Sequence, residues 1–133
     1  MRKRILVADV PELDARLAAV LAGRELHFVR TVDEAMRALA QEAFDLLVIS
    51  VHFDDSRMFD LLREVRTVAR DQLPIVCVRE PGLGFTAISS HTLEVTCRAL
   101  DANGFVDLAT INDDAGRDAA LRAAIEGFLP RGG

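Results

Sequence analysis

Ser50, His52, Asp54 and Asp55 crowd the end of an apolar run, residues 44–51 (FDLLVISV), and Asp9 closes another, residues 4–9 (RILVAD). Two kinds of chemistry are open to such a set. Ser50 and His52 lie two apart, so on a strand they share a face, as the nucleophile and base of a hydrolase must. The segment has no G-x-S-x-G turn to lift a serine above a sheet and no companion oxyanion-hole signature, so a hydrolase is not expected. Asp9, His52, Asp54 and Asp55 also supply the donor types of a metal site where strand ends converge, although acids in such loops commonly serve only as solvated residues. His27 and His91 stand at no useful spacing from a partner. Cys77 and Cys97 sit in apolar surroundings without a Cys/His cluster and are expected to be reduced core thiols.

The elements that must position these groups are legible as alternating strand and helix patterns. A short apolar run bounded by charges suits a strand buried on both faces of a parallel sheet. The first strand is placed at residues 4–8, and a helix begins at Pro11, with Glu12 and Asp14 facing its positive end and Leu13, Leu17, Val20 and Leu21 as its stripe. Gly23 ends it, and residues 25–29 form the second strand. Thr31 and Glu34 have capping-box spacing for a helix running to about Glu42, with Ala35, Met36, Leu39 and Ala40 on its buried face. The third helix carries Leu61, Leu62, Val65, Val68 and Ala69 inward and Arg63, Glu64, Arg66 and Arg70 on a solvated face.

Residues 73–78 give a fourth strand and residues 105–108 a fifth, with a helix between them from about Ser89 to Leu100. Gly82, Leu83, Gly84 and Phe85 spell the carboxylate-binding loop of PDZ domains, but in a strand-to-helix context and without the third Gly of a dinucleotide fingerprint, so they are read as a flexible connection. Asn112, Asp113 and Asp114 cap a last helix with the stripe Leu121, Ala124, Ile125, Phe128 and Leu129. Residues 1–129 are expected to form one domain, with residues 130–133 a tail or the start of a linker. No internal repeat beyond the βα alternation is present. The net charge of −5 argues against a general nucleic-acid surface, and the lack of a long apolar run or a secretory h-region points to a cytoplasmic protein.

In order and spacing these elements resemble a response-regulator receiver domain of the CheY-like type over essentially the whole chain. Residues 4–9 resemble the receiver's first strand and its acidic end, residues 44–49 the approach to its phosphoacceptor, and residues 73–78 (LPIVCV) its fourth strand. The resemblance implies an α/β flavodoxin-like (βα)5 fold, a doubly wound parallel five-stranded sheet of order 2-1-3-4-5 with a crevice where the ends of strands one and three diverge.

Receiver chemistry uses an acid pair for Mg²⁺, an Asp that attacks a phosphoryl donor, a hydroxyl and a Lys. Carried onto this chain, the resemblance places Asp9 at one member of the acid pair and Val10 at the other, so a hard cation loses one inner carboxylate. Ser50 stands at the phosphoacceptor, and a neutral hydroxyl forms no acyl phosphate. Arg79 replaces the Ser or Thr, Leu108 falls at the Lys, and Phe105 matches the switch aromatic. Asp9 is thus vestigial, no metal is expected, and Mg²⁺ binding should be weak or absent. Arg79 is expected to reach toward Asp9, Asp54 or Asp55 and fill the space of metal and phosphate.

The resulting expectation is a degenerate, non-enzymatic pseudo-receiver: a phosphorylation-independent protein-interaction module of bacterial signal transduction with no cofactor. It would contact protein partners or a second copy through the face of helix four, strand five and helix five, with Arg98, Asp101, Asn103, Asp107 and Arg117 as contributors. Direct contact with nucleic acid or membrane is not expected. The alternatives are an active phospho-receiver using Asp54 or Asp55 as acceptor, and a small-ligand or metal sensor using the same crevice. The first of these displaces the nucleophile far beyond the roughly 0.5 Å tolerance of a preorganised site.

Overall fold

A computed structural model of the chain describes residues 3–69, 73–81 and 89–129. Five parallel strands, β1 (Arg4–Ala8), β2 (Glu25–Val29), β3 (Leu46–Ser50), β4 (Ile75–Arg79) and β5 (Gly104–Asp107), form one sheet of order β2-β1-β3-β4-β5. The helices are α1 (Pro11–Val20), α2 (Val32–Gln41), α3 (Met58–Ala69), α4 (Ser90–Ala99) and α5 (Asp114–Phe128), with a one-turn helical segment at Phe53–Ser56 and a 3-10 turn at Leu108–Thr110. This is the flavodoxin-like order expected from the sequence.

Strand alternation explains why the central strands read as unbroken apolar runs. Leu6, Ala8, Leu47, Ile49, Ile75 and Cys77 face a core shared with α2, α3 and α4, while Ile5, Val7, Leu46, Val48, Val76 and Val78 face α1 and α5. Both sides are therefore dry. Cys77 and Cys97 are buried and free, and the hydrogen bond between their thiols, with burial, pushes the Cys77 thiol up.

The helix starts follow their local chemistry. Pro11 opens α1, and Thr31 caps α2 by accepting from the Glu34 N–H at 3.1 Å. The Glu34 carboxylate reaches past Thr31 to accept from the Arg30 N–H at 2.7 Å, which fixes the backbone just ahead of the helix. Gly23 has a φ of 93°, the left-handed backbone its position after α1 requires.

Several details differ from the sequence expectation. Ala40 is exposed and Val68 is 68% exposed, while Val32 and Ala38 complete the inward stripe of α2. β3 starts at Leu46 because Asp45 accepts from the Arg4 N–H and Phe44 lies under the Arg4 guanidinium, 5.0 Å from its ring centre. β5 ends at Asp107, and Leu108 opens the turn that follows. Arg66, expected on a solvated face, instead donates to the carbonyls of Leu73 (2.8 Å) and Asp101 (2.9 Å) and to Asn103 Oδ1 (3.0 Å), fastening α3 to the turn ahead of β5. Arg70, residues 82–85 and residues 130–133 lie outside the described residues.

The turn Phe53–Ser56 has an unusual backbone. Asp54, Asp55 and Ser56 have φ of 49°, 54° and 68°, a left-handed run that costs an L-residue about 1–2 kcal/mol each. Phe53, fully buried, anchors it.

Candidate functional site: a crevice closed by Arg30

Register brings the chemistry-bearing residues to the carboxyl ends of β1, β3 and β4. Ala8 pairs with Ile49 and Ser50 with Val78, so Asp9 comes beside Ser50. Asp9 is 1% exposed, Ser50 is fully buried and Glu80, just past β4, is 3% exposed. By strand alternation all three belong to the side of the sheet that faces α1 and α5.

Asp9 meets a cation from an unexpected place. Arg30, the residue after β2, donates from Nη1 to Asp9 Oδ1 at 2.5 Å and to Asp14 Oδ1 at 2.9 Å, and from Nη2 to Asp14 Oδ2. The guanidinium fork is thus bidentate to Asp14 and single to Asp9. Burial, and then the neighbouring Asp14 carboxylate, push Asp9 up to about 8 against the pull of Arg30. The Arg30 hydrogen bond holds Asp14 below the usual carboxylate range. Asp14 therefore carries the charge of the pair near neutral pH, and Asp9 the proton. Asp9 Oδ2 has no hydrogen-bond partner among the described residues.

Ser50 Oγ accepts from the His52 N–H at 3.2 Å, and His52 Nδ1 lies 2.8 Å from Glu80 Oε2. Because a carboxylate only accepts, Nδ1 is the donor and Glu80 fixes the ring. Arg30, Asp14 and Glu80 are site residues that sequence reasoning missed, Asp14 having been read only as an acid at the start of α1. The signal for Glu80 was an acid set directly against a buried strand; the signal for Arg30 was a cation between a strand end and a helix cap.

The other expected residues divide. Arg79 does not reach Asp9, Asp54 or Asp55. It pairs with Asp107, its register partner on β5, at 3.3 Å. The reason is alternation: Arg79 shares the side of Ile75 and Cys77, opposite to that of Asp9. Val10 caps α1 with extended backbone and no side-chain bond, and packs against the α1 and α5 core. Leu108 is fully buried in that core, and Phe105 is partly buried against the other. Asp54 Oδ2 accepts from the Val32 N–H at 2.9 Å and from Arg57 Nη1 at 3.4 Å, so it is committed to the start of α2; Asp55 is exposed.

On the α4, β5 and α5 side, Arg98 and Asp101 are exposed, and α4 also presents Val95, 52% exposed. Three further expected surface contributors have internal tasks. Asn103 Oδ1 accepts from the Ile75 N–H, the Asp107 side chain is 6% exposed beside Arg79, and Arg117 donates to the carbonyls of Leu108 and Ile111.

A divalent cation is the group that receiver-like crevices imply, and the residues here do not fit one. The acid pair is reduced to Asp9, its proton is held by burial, and Arg30 already lies on it. Among the described residues no group of three or more His, Cys, Asp and Glu is arranged to hold a metal ion. Nor, among them, is any helix long and apolar enough to cross a membrane.

No family model and no curated protein matches the sequence. Solved structures do match. The chain is similar to the beryllofluoride-activated DrrB receiver domain (16% identity, TM-score 0.74, covering 98% of this chain and 100% of that one). It is also similar to the chemotaxis response regulator CheY4 of Vibrio cholerae (20% identity, TM-score 0.70, 97% and 99%). An orphan response regulator of H. pylori matches with 14% identity and a TM-score of 0.71, over 98% of this chain and 100% of that one. The strand order, the helices on both faces and these likenesses give the chain the fold of CheY-like response-regulator receiver domains.

Proposed function

We propose that this chain is a pseudo-receiver: a non-enzymatic, cytoplasmic module of bacterial two-component signalling that binds proteins without being phosphorylated. The observation that carries the reading is Arg30 over Asp9, beside a buried Ser50 at the position expected of the acceptor. A tethered guanidinium supplies, permanently and from within the chain, the positive charge that a working site would take from a metal. Leu108, packed in the core, puts an apolar side chain at the position where the resemblance places the Lys.

Partners, or a second copy, dock in this reading on the face of α4, β5 and α5, with Arg98, Asp101, Asn103 and Val95 in its exposed part. The alternative of Asp54 as acceptor is disfavoured by its placement, with Oδ2 committed to the Val32 N–H at the start of α2. A ligand or metal sensor in the same crevice would first have to displace Arg30.

The test is incubation with acetyl phosphate and Mg²⁺ followed by intact-mass measurement. The expected result is an unmodified chain. A phosphoryl adduct mapped to Asp54, Asp55 or Asp9 would overturn the proposal.

A further inference from the structure

We propose that the turn Phe53–Ser56 is a strap with two states, a strained left-handed one held down on α2 and a relaxed one, and that the Asp54 carboxylate is the catch. Asp54, Asp55 and Ser56 all lie in the left-handed region and none is glycine. Such a run persists only where its surroundings hold it. Among the described residues the holding contacts are few. Phe53 is buried beneath the turn, the Arg57 N–H donates to the Phe53 carbonyl at 2.8 Å, and the Ser56 N–H donates to the His52 carbonyl at 3.5 Å. Among the described residues, the bond that leaves the turn for another element is from the Val32 N–H to Asp54 Oδ2, with Arg57 Nη1 beside it at 3.4 Å.

Val32 opens α2 and follows Arg30 by two residues, so the junction ahead of α2 is held from both sides. Arg30 ties it to Asp9 and Asp14, and Asp54 ties it to the end of β3. Release of the catch frees an N–H at the start of α2 and lets the β3 end move away from that junction. A partner that binds the relaxed turn would thereby loosen the seal over Asp9, which gives an interaction module a means of changing shape with no phosphoryl group.

Amide hydrogen exchange of the Arg57 and Ser56 N–H groups in the whole chain tests this. Asp54→Ala removes the catch and speeds their exchange about tenfold, with the β1 and β3 amides unchanged. Asp55→Gly keeps the catch and removes strain from the closed state, and slows their exchange about threefold. Asp54→Ala exchange within about twofold of the parent would show that no second state is held off by that bond. Faster exchange in Asp55→Gly would show that the left-handed backbone is not the strained state. Either result overturns the proposal, and the second stands even if Asp54→Ala does not fold. No ligand is added, so a working phosphoacceptor would leave the test unchanged.

Discussion

Asp9→Asn raises the stability of the domain at about pH 8.5 by about 3 kcal/mol and changes it by less than about 1 kcal/mol at about pH 4.5. Asp9 is buried, and its folded value of about 8 lies well above that of an exposed aspartate. The folded chain therefore binds this proton more tightly than the unfolded one. The resulting stability is full below the unfolded value and is lost as pH rises toward 8. Asparagine keeps an oxygen for the Arg30 Nη1 donor and has no proton to lose. The expected gain is roughly half of the full linkage, since solvent and relaxation moderate buried charges. Asp14 works the other way. Arg30 holds it below the usual range, so its contribution is present at neutral pH and lost on acidification. Urea unfolding at the two pH values checks the prediction. A variant less stable than its parent at both would mean that Asp9 is charged and that its bond to Arg30 stabilises the fold.

Phe53→Ala lowers stability by about 3–5 kcal/mol, the loss expected when a large buried aromatic is truncated and its cavity only partly collapses. Phe53 is fully buried in the core that faces α2, α3 and α4, beside Met58, Leu61 and Leu62. It is also the only apolar side chain in a turn whose remaining residues carry unfavourable backbone. Phe53→Leu, which keeps most of the volume, loses less than half as much. Denaturant midpoints at constant slope give both values; a loss below about 1 kcal/mol for the alanine variant would mean that the turn is not held by its anchor.

Much of the fold was legible because it rests on patterns that a single segment contains. β1 and β2 fall where the apolar runs place them, and α1 begins at Pro11 as its proline and acids indicate. Boundaries shifted at β3, β4 and β5: β4 runs Ile75–Arg79 instead of over residues 73–78, and those at β3 and β5 were set by partners elsewhere, as Arg4 takes Phe44 and Asp45 for itself and Leu108 turns into the core. Val68 fits a helical stripe by spacing, yet it lies largely exposed near the end of α3.

For the site, the sequence placed residues by resemblance and did not reveal the contact made by Arg30. Ser50, Val10 and Leu108 could be placed by resemblance because each occupies a position fixed by a strand. The cation was assigned to Arg79 because an Arg is gained there while the Lys is lost at Leu108, but alternation turns that side chain to the other face of the sheet. The cation that does lie on Asp9 is Arg30, from the end of β2, a contact between residues 21 apart that no local pattern encodes. Glu80 was hidden for the same reason, since its partner His52 comes from the neighbouring strand end.

An amide NMR titration with Mg²⁺ and then beryllofluoride, which mimics an acyl phosphate on a carboxylate, tests the closed crevice most directly. The amides of Asp9, Arg30 and Ser50 should stay where they are through both additions. Saturable shifts at those residues, spreading to Phe105, would show an open site with a working acceptor and contradict the pseudo-receiver reading.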